Sequence, residues 1–436
     1  MYDYRYEPKR LIFMIDNKSF YASVESVALG LNPLKSVLVV MSTAKNTNGG
    51  LVLAASPMAK KKYGIKNVMR QRELPTKKEA PDLIFVDPHM NLYIKKSMEI
   101  LEIFRKYVAD EDLHVYSIDE SILDMTNSYQ LFGKDPFEVA RKIQVEIREK
   151  LGVYTTVGIG ENPLLAKLAL DIDAKKRTSM IAFWHYLEVA DTIWKIPDLT
   201  DVWGINTRTA EHLERIGIHS MYELAHADPA LLKREFGIIG EQLFAMSWGV
   251  DRSMVRDKYV PQAKSYGNSQ VLSRDYLVQR EIEIVIREIG EQVAARIRSR
   301  RLQTGLVSLW IGFSYKSSTK GRRSGFRKQQ KINYTNDNRE LVEELLALFR
   351  NNWNGEIVRN VGVDYANLIP AQTQQLNLFV KPKQQEKLSK LDRTVDELRK
   401  RFGFRAAVKV SSLAPGGTAI ERAGLVGGHN GGNSYE

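Results

Sequence analysis

The stretch Val-Tyr-Ser-Ile-Asp-Glu-Ser-Ile-Leu-Asp-Met, residues 115–125, sets two carboxylates, Asp119 and Glu120, side by side in what otherwise reads as an apolar strand. A buried strand tolerates this poorly, because an ionised carboxylate loses its hydration on burial. Neighbouring strand residues also face opposite sides of a sheet, so a bend or bulge is needed before both acids can serve one site. A third acid, Asp16, closes an earlier apolar run over residues 10–16. Three carboxylates converging from two strands repel one another unless they hold divalent cations, and an all-oxygen donor set suits Mg²⁺ or Mn²⁺. Two such ions, held about 3.5–4 Å apart, can clamp the attacking and leaving oxygens of a phosphoryl transfer. The bland alternative makes Asp119 and Glu120 strand-end residues in surface salt bridges.

Around these acids, residues 10–185 alternate short apolar runs with amphipathic stretches of helical period, which predicts an α+β domain with a mixed sheet. The run over residues 113–125 is expected as one strand. Lys60, Lys61 and Lys62 form one cationic cluster and Lys175, Lys176 and Arg177 another, as a nucleoside triphosphate would need for its β and γ phosphates. Residues 190–250 turn helical, and a Gly-containing turn in Val-Trp-Gly-Ile-Asn-Thr, residues 202–207, suits a helix hairpin that offers backbone N–H groups to a phosphate. Residues 252–264 read as a basic linker. A second α+β unit follows over 265–370. There Arg296, Arg298, Arg300, Arg301, Lys316, Lys320, Arg322, Arg323, Arg327, Lys328 and Lys331 concentrate positive charge beside a strand pattern. Beyond Pro370 the chain is polar, with one helical stretch and a Gly-rich end expected to be mobile.

With 64 Lys and Arg against 52 Asp and Glu, the formal charge of +12 favours an anionic partner such as nucleic acid. The absence of cysteine excludes disulfide frameworks, Cys-zinc sites and thiol nucleophiles, and fits a reducing cytoplasm. No apolar run of about 20 residues implies a membrane span, and no secretory h-region is evident at the start.

Four segments occur in a telling order: Phe-Met-Ile-Asp-Asn-Lys-Ser-Phe-Tyr-Ala-Ser-Val-Glu (13–25), Ser-Ile-Asp-Glu-Ser-Ile-Leu-Asp-Met (117–125), residues 156–176, and residues 202–218. In this the chain resembles Y-family translesion DNA polymerases, most of all the bacterial mutagenesis-type (ImpB/MucB/SamB) branch, from about residue 10 to 370. The resemblance implies an α+β multidomain right hand. It comprises a mixed-sheet palm (1–30 and 80–190), small fingers (31–79), a helix-hairpin-helix thumb (191–251), a linker (252–264) and an α+β little finger (265–370). A sliding-clamp-binding peptide (371–380) and a C-terminal helix with a Gly-rich tail (381–436) follow.

By position the resemblance makes Asp16, Asp119 and Glu120 the metal-binding catalytic carboxylates, with the Asn17 carbonyl assisting. Tyr21 becomes the steric gate against a 2′-OH and Phe20 packs the incoming nucleotide. Lys61 and Lys175 meet the triphosphate, with Lys176 as an alternative because of a one-residue length difference in Asp-Ile-Asp-Ala-Lys-Lys. Val52 and Ala54 are small roof residues over the nascent pair. Met58 stands where many members have a tyrosine. DNA contacts are expected from Gly204 and Thr207 in the hairpin and from Arg298, Arg300, Arg301, Lys320, Arg322, Arg323, Arg327 and Lys328. Gln-Gln-Leu-Asn-Leu-Phe (374–379) resembles a sliding-clamp peptide anchored by Gln375, Leu376, Leu378 and Phe379. The expected activity is template-directed DNA synthesis of low processivity in damage tolerance, using two Mg²⁺ ions, with primer-template DNA, dNTPs and the clamp as partners. The rival expectation is a catalytically weak, polymerase-like DNA-binding accessory factor acting at the clamp.

Overall fold

The strand that ends near Asp16, β1 (Ile12–Asn17), is apolar and buried on both faces, which places it in the middle of a covered sheet. In the computed structural model, which describes residues 2–43, 49–258, 260–261, 264–315, 324–371 and 382–430, the next elements are α1 (Phe20–Ala28), β2 (Leu38–Ser42), β3 (Leu51–Ala55), α2 (Pro57–Tyr63), β4 (Ile84–Val86), α3 (Met90–Phe104), β5 (Leu113–Val115), β6 (Glu120–Asp124), α4 (Pro136–Leu151), β7 (Thr155–Gly160), α5 (Pro163–Leu168) and β8 (Ile181–Trp184). A five-stranded mixed sheet runs β5-β6-β1-β7-β8. Phe13 and Ile15 face a core shared with α1, α3 and α4, while Ile12 and Met14 face Ala166 and Leu170 on the other side. On that second side Gly158 and Gly160 let α5 lie directly on β7: a Cβ at Gly158 would fall 2.1 Å from the Ala166 carbonyl oxygen, and one at Gly160 2.3 Å from the Ala166 nitrogen.

The expected single strand over 113–125 is instead a hairpin. β5 and β6 pair antiparallel, Leu113 opposite Leu123 and Val115 opposite Ser121, and residues 116–119 form the turn. A turn rather than a bulge thus resolves the two adjacent charges. Asp124, at the far end of β6, accepts from the Thr126 N–H at 3.1 Å and from its hydroxyl at 2.5 Å. β4 lies beyond residue 80, yet it pairs parallel with β2 in a second sheet, ordered β3-β2-β4.

Four helices follow: α6 (Thr207–Arg215), α7 (Met221–Ala225), α8 (Pro229–Phe236) and α9 (Ile238–Ser247). They share an apolar cluster with Leu164, Leu165 and Leu168 of α5 and with Ala182 and Trp184 of β8, so this unit grips the first sheet through one helix and its edge strand. The segment expected as a linker is pinned at its start. Arg10 donates to the Asp251 and Ser253 carbonyls at 2.8 and 2.6 Å, Arg252 pairs with the buried Glu7, and Arg256 reaches Asp112 at 2.8 Å.

The last α+β unit contains β9 (Tyr266–Tyr276), α10 (Gln279–Ser299), β10 (Leu302–Phe313), β11 (Gly325–Thr335), α11 (Asn338–Arg350) and β12 (Val358–Pro370). Its antiparallel sheet, ordered β11-β10-β12-β9, packs on α10 and α11. The chain ends in α12 (Pro382–Phe402), α13 (Ala419–Arg422) and a small hairpin, β13 (Leu425–Val426) with β14 (His429–Asn430). No helix among the described residues is long and apolar enough to cross a membrane.

The Gly-rich end, expected to be mobile, is docked as far as residue 430. Glu288 of α10 accepts from the Thr418 N–H (2.9 Å), the Thr418 hydroxyl (3.0 Å) and the Ala419 N–H (3.0 Å). Gln270 Oε1 shares that hydroxyl proton at 2.9 Å and accepts from Arg422 at 2.9 Å. Val426 then packs on the core of the first sheet, and His429 meets Ser42 of β2 at 3.0 Å. Glycine here supplies turns, not freedom: Gly416, Gly427 and Gly428 all have positive φ. Replacing Glu288 leaves buried N–H groups unpaired, at about 1–3 kcal/mol each. Glu288→Ala should therefore speed tryptic cleavage after Lys409 several-fold under native conditions, and an unchanged cleavage rate would show that other contacts hold the tail.

Candidate active site

β1 and β6 are antiparallel neighbours with Asp16 opposite Glu120, so the pairing register alone brings two of the three predicted acids together. Asp119 closes the β5–β6 turn. Its carbonyl accepts from the Asn17 backbone N–H at 2.9 Å and from the Asn17 side-chain amide at 3.0 Å, while its carboxylate accepts from Ser117 Oγ at 2.7 Å. The turn is thereby stitched to the end of β1.

A cavity of about 760 Å³ opens here, between the two sheets. Asp16 and Asp119 line it on one side, Lys60, Lys61 and Lys175 bring positive charge, and Phe20 and Tyr21 enter from the start of α1. Glu120 is absent from this lining. It accepts from Lys167 Nζ of α5 at 2.5 Å, and Lys167 also lies 3.2 Å from Asp171. Lys175 stands 2.7 Å from Asp171 and 3.5 Å from Asp16. Burial, opposed by Lys175 and reinforced by the charge of Asp119, raises the pKa of Asp16 above the usual carboxylate value. Burial lowers that of Lys60, although Asp16 pulls it the other way. For Lys167 and Lys175 burial lowers the pKa, but their acidic partners outweigh it and the net shift is upward.

Among the described residues no three His, Cys, Asp or Glu side chains are gathered closely enough to hold a metal. The chemistry present still fits a hard divalent cation. Asp16 and Asp119 repel each other in a desolvated cleft, and Asn17 Oδ1 is buried beside them without a hydrogen-bond partner. These oxygens are the ones that would hold such an ion, and Glu120 would join them on release from Lys167.

The other predicted residues separate by position. Ala54 lines the cavity and Val52 does not, being buried instead in the apolar cluster with Val39 and Met41. The cause is a register shift: Val40 pairs with Ala54 and Met41 with Val52, which leaves Leu53 as an extra residue and brings it into the cavity beside Ala54. Pro57, rather than Met58, lines the wall. Lys175 lines it too and Lys176 does not. Between Lys167 and Lys175 the backbone passes through a π-helical turn, Ala169–Asp173. Lys60, Lys167, Thr156 and Asn67 were not singled out. Lys167, Asp171 and Lys175 are spaced by four, which is a readable helical signal. Nothing in the sequence distinguished Lys60 from Lys61 and Lys62.

Of the cations expected on DNA, Arg300 and Arg301 are exposed at the end of α10 and Arg327 and Lys328 are exposed on β11. Arg327 shares its strand face with Gly325 and Lys331, whereas Lys328 alternates with it and shares the face of the buried Phe326. Arg298 departs from expectation: its side chain is 8% exposed and is spent on Asp396 at 2.7 Å and the Asn336 carbonyl at 2.7 Å, clamping α12 to α10. Gly204, with φ +95°, and Thr207, first in α6, are exposed at the predicted hairpin turn. Lys320, Arg322, Arg323 and the segment 374–379 lie outside the described residues.

The family model of the impB/mucB/samB family matches residues 15–171, and that of its C-terminal domain matches 263–378. UvrX of Bacillus subtilis (strain 168), named for UV-damage repair, is 40% identical over 98% of this chain and 100% of that protein. The chain belongs to the impB/mucB/samB family. Other members include DNA polymerase IV 2 of the same organism, 35% identical over 97% of this chain and 99% of its own length, and DNA polymerase IV of Moorella thermoacetica, 33% identical over 93% and 97%. A solved Y-family DNA polymerase chimera, Dbh-Dpo4(243-245)-Dbh, superposes with a TM-score of 0.65 over 83% of this chain and 99% of that one, at 24% identity. This impB/mucB/samB member thus has the Y-family polymerase fold, α+β with mixed sheets.

In this family member the raised pKa of Asp16 has a thermodynamic consequence. The folded chain binds that proton more tightly than the unfolded one, so ionisation costs stability as pH rises through the folded pKa and costs nothing below the unfolded value. Asp16→Asn should raise the Tm of the protein in EDTA at pH 7, with the gain vanishing below about pH 4. An equal gain at both pH values would rule out the electrostatic origin. Separately, Lys331→Ala should lower the salt slope of DNA affinity by about one, whereas Arg298→Ala should leave the slope alone and lower Tm.

Proposed function

We propose that the chain is a template-directed DNA polymerase of low processivity that acts in translesion synthesis. The observation that carries this is the pairing of Asp16 and Asp119 with Lys60 and Lys175 around one cavity, with the Tyr21 ring at its wall. On this reading the five-stranded sheet is the palm, the three-stranded sheet the fingers, α6–α9 the thumb and the C-terminal α+β unit the little finger. The name DNA polymerase IV borne by relatives that span nearly the whole chain supports it.

In the proposed reaction the primer 3′-OH gives up its proton to solvent as its oxygen attacks the α-phosphate of a dNTP, the bond to the β-phosphate breaks, and pyrophosphate leaves. Asp16 and Asp119, with the Asn17 oxygens and Glu120, would hold Mg²⁺ or Mn²⁺. Once bound, such ions supply Lewis-acid stabilisation of the charge that develops on the reacting oxygens. Lys60, Lys61 and Lys175 neutralise the β and γ phosphates. Phe20 and Tyr21 pack the base and sugar, and Tyr21 crowds the position of a 2′-OH. Leu53 and Ala54 form a roof whose small size beside Ala54 leaves room for a damaged base. Exposed Arg300, Arg301, Arg327 and Lys331, with the Gly204–Thr207 turn, track the phosphate backbone, and 374–379 tethers the enzyme to the sliding clamp. The rival, a DNA-binding accessory factor, draws on Glu120 being held by Lys167 and away from the cavity.

Primer extension on undamaged and damaged templates separates the two. Wild-type protein with Mg²⁺ should extend the primer a few nucleotides per encounter, and Asp119→Ala should lose roughly 10³-fold or more in rate. Full activity in that variant would overturn the site assignment. Removing Gln375 to Phe379 should leave distributive extension intact and abolish stimulation by the clamp.

A further inference from the structure

Glu25 is a carboxylate with no part in the proposed chemistry, and it is buried: its side chain is 4% exposed. It sits on α1 one turn after Tyr21, and residues four apart share a helix face. Tyr93 of α3 lies against both. Its ring stacks on that of Tyr21, with centroids 4.3 Å apart and planes 14° apart, and its hydroxyl donates to Glu25 Oε1 at 2.5 Å. The same hydroxyl accepts from the His89 backbone N–H at 3.1 Å, and His89 Nδ1 meets Glu25 Oε1 at 2.9 Å. Tyr93 is thus held at both lone pair and proton, and it is fully buried.

We infer that Glu25 is a positioning residue for sugar selection, acting through Tyr93 to fix how far the Tyr21 ring projects into the cavity. The argument is geometric. Tyr21 is only partly buried, so its rotamer needs a wall behind it, and the face of Tyr93 is that wall. A stacked ring can slide in its plane unless something grips its edge, and the hydroxyl of Tyr93 is gripped by Glu25 and His89. Burial and the Glu25 acid both push the Tyr93 pKa up, which keeps the hydroxyl a donor. A displacement well under 1 Å at Tyr21 is enough to admit or refuse one oxygen atom. The inference rests on the polymerase reading and on Tyr21 as its gate.

The experiment compares kcat/KM for a matched dNTP and the corresponding rNTP in single-nucleotide primer extension by the full chain. Tyr93→Phe, which removes one oxygen and keeps the ring, should raise the rNTP:dNTP ratio roughly three- to tenfold. Glu25→Ala should do the same, and Glu25→Gln, still able to accept from the hydroxyl, should restore most of the wild-type ratio. A Glu25→Ala variant that loses activity equally on both nucleotides, or a Tyr93→Phe variant with unchanged discrimination, would show a purely structural role and sink the inference while leaving the polymerase reading intact. If Glu25→Ala does not fold, Tyr93→Phe alone decides. Unchanged discrimination in Tyr21→Ala would instead remove the gate, and absence of extension by the wild type would remove the polymerase reading, each taking the inference with it.

Discussion

The antiparallel pairing of β1 with β6 is the constraint on which the rest of the site depends. Register is set by apolar residues that pack two different cores, Phe13 and Ile15 on one face and Ile12 and Met14 on the other. A slip of one residue would exchange those faces and mispack both cores. Because the register is so strongly determined, Asp16 is carried opposite Glu120 at no choice of its own, and the turn that must follow puts Asp119 beside them. The charges are therefore placed by hydrocarbon, at the ends of strands whose middles have strong reasons to stay where they are.

That logic explains what could be read from the sequence. The alternation of apolar runs with helical stretches over residues 10–185 is legible, and β1 to β8 with α1 to α5 fall inside it, β1 ending where the apolar run over 10–16 ends. Three features were illegible for definable reasons. The β5–β6 turn carries no Gly, Pro or Asn, so Tyr-Ser-Ile-Asp within apolar neighbours reads as strand, and only the pairing of Leu113 with Leu123 reveals a hairpin. The bulge at Leu53 arises from how two strands align, information that one strand alone does not contain; hence the expectation of Val52 beside Ala54, where it is Leu53 that lines the cavity. The tail was misread because Gly-rich composition signals freedom only when nothing supplies partners. Glu288 and Gln270, more than 120 residues earlier, supply them.

Arg298 illustrates the opposite error. A basic cluster beside a sheet suits DNA, but a guanidinium that spends four of its five N–H donors on Asp396, Asn336 and Asn338 within its own chain, and is 8% exposed, has little to offer a phosphate. Charge in sequence counts candidates, whereas burial decides which of them face solvent. Arg300 and Arg301, two and three residues later, do face it.

The distribution of ion pairs around the cavity explains how so many acids are tolerated in one fold. Asp16, Asp119, Glu120 and Asp171 would be costly in one cleft if left alone. Lys167 offsets Glu120 and Asp171, and Lys175 offsets Asp171 and Asp16, so each lysine bridges two acids. The sharing is uneven: Lys175 sits closer to Asp171 than to Asp16, which is why burial and Asp119 still leave the Asp16 pKa raised. A divalent cation at Asp16 and Asp119 would relieve that remaining repulsion and reduce the hold of Asp16 on Lys175. Lys175 would then be freer to turn toward phosphate, with Asp171 keeping its place on the helix. Lys175 is in this way held by two acids at unequal distances, and the nearer of them, Asp171, keeps it on the helix whatever the charge on Asp16.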